Sequence, residues 1–411
     1  MTREQCEIAD ENDELKIFRN KFKIPQDTIY LIGNSLGLCP IESQKIANRV
    51  IKQEWGQNHI DSWNTAGWYH LPVKVGNKIG KIIGAEQNET IISDSTSINI
   101  FKCLGTSIAI QKIKNPDRRI ILLERENFPT DLYIAQGLVN LLSTDEYKIR
   151  YFDDDNRLED VLGDDVVCIL LSHVNYRTGQ LYNMKQITKL AHKVDAHIIW
   201  DLCHSVGSVP INLTKVDADF AVGCTYKYLN SGPGAPAFIY VNKKHQNVAW
   251  QPLTGWFGHQ APFKMSKLYE PAPNITNYLV GTPQVLQISI IDHSVGITLD
   301  ADMQAIRKKS LALGDLFIKL MDEKCPSLKL VTPFEYEKRG SHLSYQHENA
   351  YAISNLMRKR GVYGDFRFPD ILRFAMTPLY TRFVDIWDVI GIISEVINDA
   401  EYEGFDGNCV T

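Results

Sequence analysis

Asp219-Phe-Ala-Val-Gly223, Cys224-Thr-Tyr-Lys227-Tyr-Leu-Asn230, Ser231-Gly-Pro-Gly-Ala-Pro236 and Ala237-Phe-Ile-Tyr-Val241 run without a break, and the fold is read from them. A short apolar run ends in glycine, a polar segment with one lysine between two tyrosines follows, and a Gly-Pro loop returns the chain to a second apolar run. Runs this short and continuously apolar read as strands covered on both faces. Working outward, Arg119–Leu123, Lys148–Phe152, Val166–Ser172 and His197–Asp201 have the same character. Between several of them lie helical patterns, over Ile41–Trp55, Asn99–Ile113 and Met184–Val194. Strands alternating with amphipathic helices predict an α/β unit with a largely parallel sheet.

After Pro283 the pattern changes. One long helix is expected over Val285–Cys325, with strands at Lys329–Val331, Ser341–His347 and Ile371–Met376 and helices over Ala350–Arg360 and Val384–Ile397. The expected division is an N-terminal segment 1–40 packing with the small domain, a large α/β domain 41–284, and a small C-terminal α+β domain 285–411. Composition narrows the function. The 411 residues carry 44 Lys and Arg against 49 Asp and Glu, a formal net charge of −5, which disfavours a nucleic-acid binder. No apolar run approaches the roughly 18–20 residues a bilayer demands. Met1–Lys21 lacks the apolar core of a signal peptide, and eight scattered cysteines without a CxxC pair suit free thiols. A cytoplasmic protein without membrane contact is expected. The 11 histidines form no HxxxH or HExxH pair, so no metal site is expected.

In open α/β sheets, ligands sit beyond the C-terminal ends of the strands. Ser93-Asp-Ser95-Thr96-Ser97 precedes a helix and offers hydroxyls and free N–H groups to an anion such as phosphate; ordinary capping is the plainer reading. Asp201 ends a buried strand and needs a cationic or hydrogen-bonding partner, or else caps the next turn. His204, three residues on, is weaker alone. Lys227 past a buried strand suits Schiff-base chemistry, or else snorkels to water. Together they are far more specific. A lysine for the aldehyde, an acid for the pyridine nitrogen and an anion site for the phosphate are what pyridoxal phosphate requires. Phe128, in a stretch that reads as a loop, is available to stack on its ring.

These residues resemble the kynureninases, pyridoxal-phosphate enzymes of the aspartate aminotransferase fold type within the class V aminotransferase group. The resemblance spans nearly the whole chain and rests on Tyr30-Leu-Ile-Gly-Asn-Ser-Leu-Gly37, Phe128-Pro-Thr-Asp131, Asp201-Leu-Cys-His-Ser205, Thr225-Tyr-Lys-Tyr228 with Gly232-Pro-Gly-Ala235, Gly255-Trp-Phe-Gly-His259, and Arg373-Phe374 with Pro378-Leu-Tyr380. It implies a fold type I enzyme with a mostly parallel seven-stranded sheet, which cleaves L-kynurenine hydrolytically between Cβ and Cγ, giving anthranilate and L-alanine. Carried over, Lys227 matches the cofactor-bearing lysine and Asp201 the carboxylate on the pyridine nitrogen. Ser95, Thr96 and Tyr226 match phosphate contacts, and Tyr226 is a candidate proton relay. Phe128 matches the stacking position; Asp131, Ser172 and His204 match further cofactor contacts. Trp256 and Thr282 match positions lent across a homodimer, and Arg373 the arginine on the substrate's α-carboxylate. Gly281-Thr282 stands where the animal branch has Ser-Asn. A pocket without that side-chain donor is expected to prefer kynurenine over 3-hydroxykynurenine.

Two other readings keep the fold. A cysteine desulfurase requires a mobile cysteine, for which Cys325 and Cys409 are the candidates in the C-terminal part. A non-enzymatic binding protein would have no use for both Asp201 and Lys227.

Overall fold

The main sheet has seven strands in the spatial order Thr90–Ile92, Phe238–Val241, Phe220–Gly223, His197–Asp201, Val166–Ser172, Ile120–Glu124 and Lys148–Phe152. Five of them run parallel; Phe238–Val241 is antiparallel to both its neighbours. The structure is a computed structural model, and it describes residues 1–143, 145–153 and 157–399. Cys409 and the end of the expected small domain lie outside the described residues.

Successive side chains of a strand point to opposite faces, and here both faces are apolar. Leu122, Leu171, Ile198 and Trp200 join one core with Ile79, Ile187 and Ile291 from helices Leu71–Ile83, Met184–Lys193 and Val285–Asp300. Leu123, Leu170, Ile199 and Val222 join the other, with Leu104 and Leu138 from helices Thr96–Lys114 and Pro129–Leu142. This is why the strands read as unbroken apolar runs. Among the described residues no helix is long and apolar enough to cross a membrane.

The second unit is an antiparallel sheet ordered Asp365–Arg367, Ile371–Ala375, His342–Gln346 and Lys329–Leu330. Leu343, Tyr345, Leu372 and Phe374 pack under helices Met303–Lys324, Ala350–Lys359 and Phe383–Asn398. The alternate residues His342, Ser344 and Arg373 are polar and face the first unit, where Ser344 Oγ donates to the Arg177 carbonyl and Arg373 to that of Tyr176. The N-terminal segment is tied to this unit. Helix Arg3–Glu11 buries Cys6 in its core, Asp10 accepts the N–H groups of Phe383 and Val384, and Ile29–Tyr30 pairs in parallel with Val362–Tyr363.

Several sequence expectations are corrected. The single helix expected over Val285–Cys325 is two, because Ala301 turns extended and the Asp302 side chain caps a new helix by accepting the Ala305 N–H. The first of the two packs on the main sheet's core and the second on the small sheet's. Phe128-Pro-Thr-Asp131 is not a loop: Phe128 is the N-cap of helix Pro129–Leu142, with Pro129 in the first turn, where its missing N–H costs nothing. Val280 follows a single helical turn at Ile275–Tyr278. Arg373 lies in the middle of strand Ile371–Ala375.

Candidate active site

Ser172 and Asp201 are register partners at the C-terminal ends of their strands, and Asp201 also pairs with Val222. Lys227 stands four residues beyond the end of the next strand. Parallel pairing thus delivers three polar side chains to one sheet edge from separate stretches of sequence. The edge opens into a cleft of about 490 Å³ lined by Ser95, Thr96, Phe128, Asp201, His204, Tyr226 and Lys227.

Lys227 Nζ lies 3.3 Å from His204 Nε2 and 5.8 Å and 6.0 Å from the ring centres of Phe128 and Tyr226. Burial and the Lys227 charge hold His204 well below its ordinary pKa, so its imidazole is neutral. Asp201 accepts the Cys203 N–H at 2.7 Å, and burial still pushes its carboxyl upward. A cation placed against it would restore the carboxylate. Asp131 is more extreme. It is fully buried, neither oxygen makes a hydrogen bond of ordinary geometry, and burial and the Asp201 charge outweigh the nearby Asn127 amide and lift it well above the carboxylate range. Two acids raised by burial beside one lysine suit a cationic, hydrogen-bonding ligand.

Across the cleft, Ser95 caps the 19-residue helix Thr96–Lys114, accepting the Ile98 N–H at 3.4 Å. Capping does not exclude an anion here, since the helix dipole and the remaining N–H groups favour negative charge. Together, the lysine, the acid and this helix start fit pyridoxal phosphate. Gly37 packs closely against the backbone of the Lys227 segment. Its N–H donates to the Tyr226 carbonyl at 2.8 Å, and a Cβ there would stand 2.3 Å from the Lys227 carbonyl oxygen.

Other expected residues lie elsewhere. Ser172 is buried behind the cleft, donating to Asn127 at 2.7 Å. Arg373 is wholly buried, with Asp365, Ser35 and the Tyr176 carbonyl as partners. Trp256 and Thr282 line a second cavity of about 930 Å³ with Trp63, Tyr69 and Phe263. A Cβ on Gly281 would meet nothing within 4 Å.

Sequence reasoning missed Thr130, Gln284 and Gln287 on the cleft wall, the 2.7 Å bond between Ser97 and Thr130 hydroxyls, and Cys203 beside Thr96. It also missed Lys102, wholly buried, which donates to Ser93 Oγ at 2.9 Å, to Asp94 and to the Tyr278 carbonyl at 2.6 Å. A lysine on the buried side of a helix was its one available signal.

Comparison with known proteins agrees with this geometry. The kynureninase C-terminal domain family matches residues 306–393. A kynureninase of Burkholderia mallei (strain SAVP1) is 46% identical over 399 residues, covering 97% of this chain and 96% of its own. A kynureninase of Pseudomonas fluorescens is 44% identical with the same coverage. Among solved structures, a cysteine desulfurase from Thermococcus onnurineus NA1 superposes with a TM-score of 0.78 at 14% identity, over 93% of this chain and 98% of that one. A mutant of C-DES, with glycine covalently linked to its pyridoxal-phosphate cofactor, also gives 0.78 at 14%, over 92% and 99%. These two share the architecture, that of the fold type I enzymes.

Proposed function

The chain belongs to the kynureninase family, and from that premise we propose that the Lys227 cleft holds pyridoxal phosphate and hydrolyses L-kynurenine to anthranilate and L-alanine. One observation carries this reading: Lys227 Nζ shares a cleft with the buried Asp201 carboxylate, whose pKa burial raises despite its bonds from Cys203, and with the start of a long helix. The cofactor supplies, when bound, an electron sink for the charge released at the substrate's α-carbon. Ser95, Thr96 and Tyr226 would hold its phosphate, Asp201 would face its pyridine nitrogen, and Phe128 would cover its ring. Asp131, Ser172 and His204 would complete its surroundings. The Asp201 carboxylate would keep that nitrogen protonated. Lys227 Nζ is the attachment point. As a free amine it would take the substrate's α-proton as a general base. Water adds to the γ-carbonyl, and Tyr226 Oη passes a proton there. Arg373 receives the α-carboxylate.

The active site is completed by a second copy of the chain. The support is the separate cavity holding Trp256 and Thr282, rimmed by the exposed apolar side chains of Ile60 and Phe263. Gly281 leaves open space without a donor, which favours kynurenine over 3-hydroxykynurenine. We place the enzyme in the cytoplasm, in tryptophan breakdown, on its seven free thiols among the described residues and its substrate.

Fluorescence of released anthranilate, with L-kynurenine and saturating cofactor, tests the activity; no release overturns it. Changing Gly281-Thr282 to Ser-Asn is expected to narrow the preference by about 1–3 kcal/mol. Hybrids of that variant with Lys227→Ala report on the shared site. If they keep the parent preference despite confirmed subunit exchange, the cross-chain placement fails.

A further inference from the structure

Behind His204, the cleft-facing side of the small sheet carries buried donors for which the chemistry described so far has no use. His342 pairs opposite Ala375 and Arg373 opposite Ser344, so His342 and Arg373 project from the same face of adjoining strands. His342 is wholly buried, and neither of its ring nitrogens makes a hydrogen bond of ordinary geometry. The Tyr176 carbonyl lies within electrostatic reach of the ring and also accepts from Arg373, so His342 competes for it. Arg373 Nε and Tyr228 Oη are buried and unpartnered as well. Native proteins seldom leave such groups unpaired, and several converging in one place ask for a ligand. The charge balance gives the ligand's sign. Arg373 and Arg367 share the single carboxylate of Asp365, which leaves one positive charge over. The location gives its distance from the chemistry: the His342 ring centre is 5.7 Å from that of His204, whose Nε2 is 3.3 Å from Lys227 Nζ. Burial, then the Arg373 and Lys227 charges, keep His342 neutral, so one ring nitrogen carries a proton to donate. Burial likewise keeps the Tyr228 phenol protonated.

We propose that His342 and Tyr228 join Arg373 as the receptor of the substrate's α-carboxylate, each donating one hydrogen bond to it. A carboxylate has four lone-pair sites and can accept all three donors. The inference rests on the kynurenine reading above and adds two residues to it.

Tyr228→Phe removes a single oxygen, and His342→Leu removes both ring nitrogens while filling their space. Each is expected to raise KM for L-kynurenine by roughly tenfold to a hundredfold, the scale of one hydrogen bond to a charged group. kcat is expected to stay within threefold, and melting temperature and cofactor absorbance to stay at parent values. The parent's preference for L-kynurenine over its uncharged α-carboxamide should shrink by the same factor, which a merely structural role would not produce. Calorimetry supplies a readout without turnover: the parent should bind L-alanine tighter than L-alaninamide, and both variants should lose that preference. If Tyr228→Phe keeps KM within twofold and the charge preference intact, the proposal is overturned, whether or not His342→Leu folds. A parent that binds alanine selectively yet releases no anthranilate would sink the kynurenine reading and leave the receptor standing.

Discussion

Asp201 and Asp219 sit at opposite ends of adjoining strands, both nearly out of water, and are kept in opposite ways. Asp219 accepts from His192 Nε2 at 2.8 Å, from the Ile198 N–H at 2.9 Å and from His245 Nε2 at 2.7 Å. Burial alone would raise it, but the bonds from His192 and His245 pull it well below the carboxylate range. Asp201 has one backbone donor, and burial wins. The first is a finished carboxylate that ties strand entries together; the second is left short of a cation at the end where ligands bind. Buried charge alone does not mark a site. What marks it is the number of partners the fold withholds.

The largest effect that sharpens this contrast is at Lys227. Lys227→Ala is expected to cut anthranilate release at least a thousandfold and abolish the yellow absorbance of the lysine-bound cofactor, with the fold intact. Activity near the parent's would remove Asp201 from any active site. Next is Asp219→Ala, which leaves two histidines facing a buried gap. A loss of about 3–5 kcal/mol in denaturant unfolding is expected, with activity per folded molecule unchanged. Asp201→Ala should do the reverse, shifting stability by less than about 1 kcal/mol while slowing exchange of the substrate α-proton with solvent deuterium by about 10²-fold or more. Equal stability losses at both aspartates would break the comparison.

The last effect is in pH. Burial lowers His173 and His197 to about 3. Folding therefore keeps protons off both, and the unfolded chain takes them up below about pH 6.5. The stability they contribute is present above that pH and is lost as pH falls toward 3. The expected slope for two protons is about 2.7 kcal/mol per pH unit near pH 5. His197→Gln should remove about half of it in urea titrations at pH 7, 6 and 5, and an unchanged slope would mean His197 is charged in the fold. Asp219, whose pKa is depressed, adds stability above about pH 4 that is lost only in stronger acid.

The strands that hold the chemistry were legible because both their faces are covered, which makes Val166–Ser172 and His197–Asp201 continuous apolar runs. Lys227 and Asp201 were legible for the same reason, as polar residues at the ends of such runs. Three of the shortest strands were not. Ile29–Tyr30, Val362–Tyr363 and Thr90–Ile92 are too short to show a period, and are strands only because a distant partner lies alongside. The break at Ala301 was hidden because the residues on both sides form helices, and only the Asp302 cap separates them. Gln284 and Gln287 reach the cleft through the packing of a helix onto the main sheet, which no local pattern encodes. The polar residues His342 and Arg373 alternate with apolar ones, which identifies a half-buried strand but not what its polar face meets.

The pairing of Ile29–Tyr30 with Val362–Tyr363 has a consequence in time. A ribosome delivers the first of these partners about 330 residues before the second. At about 5–20 residues per second, the amino-terminal segment waits roughly 15–70 s for the strand that completes it. Over that interval the main sheet can emerge and close on its own helices, while Leu15, Phe18 and Phe22, which pack with Ile306 and Tyr380 in the finished molecule, remain without their later partners. The amino terminus is thus made first and settled last, and nascent-chain binding factors have their longest window on it.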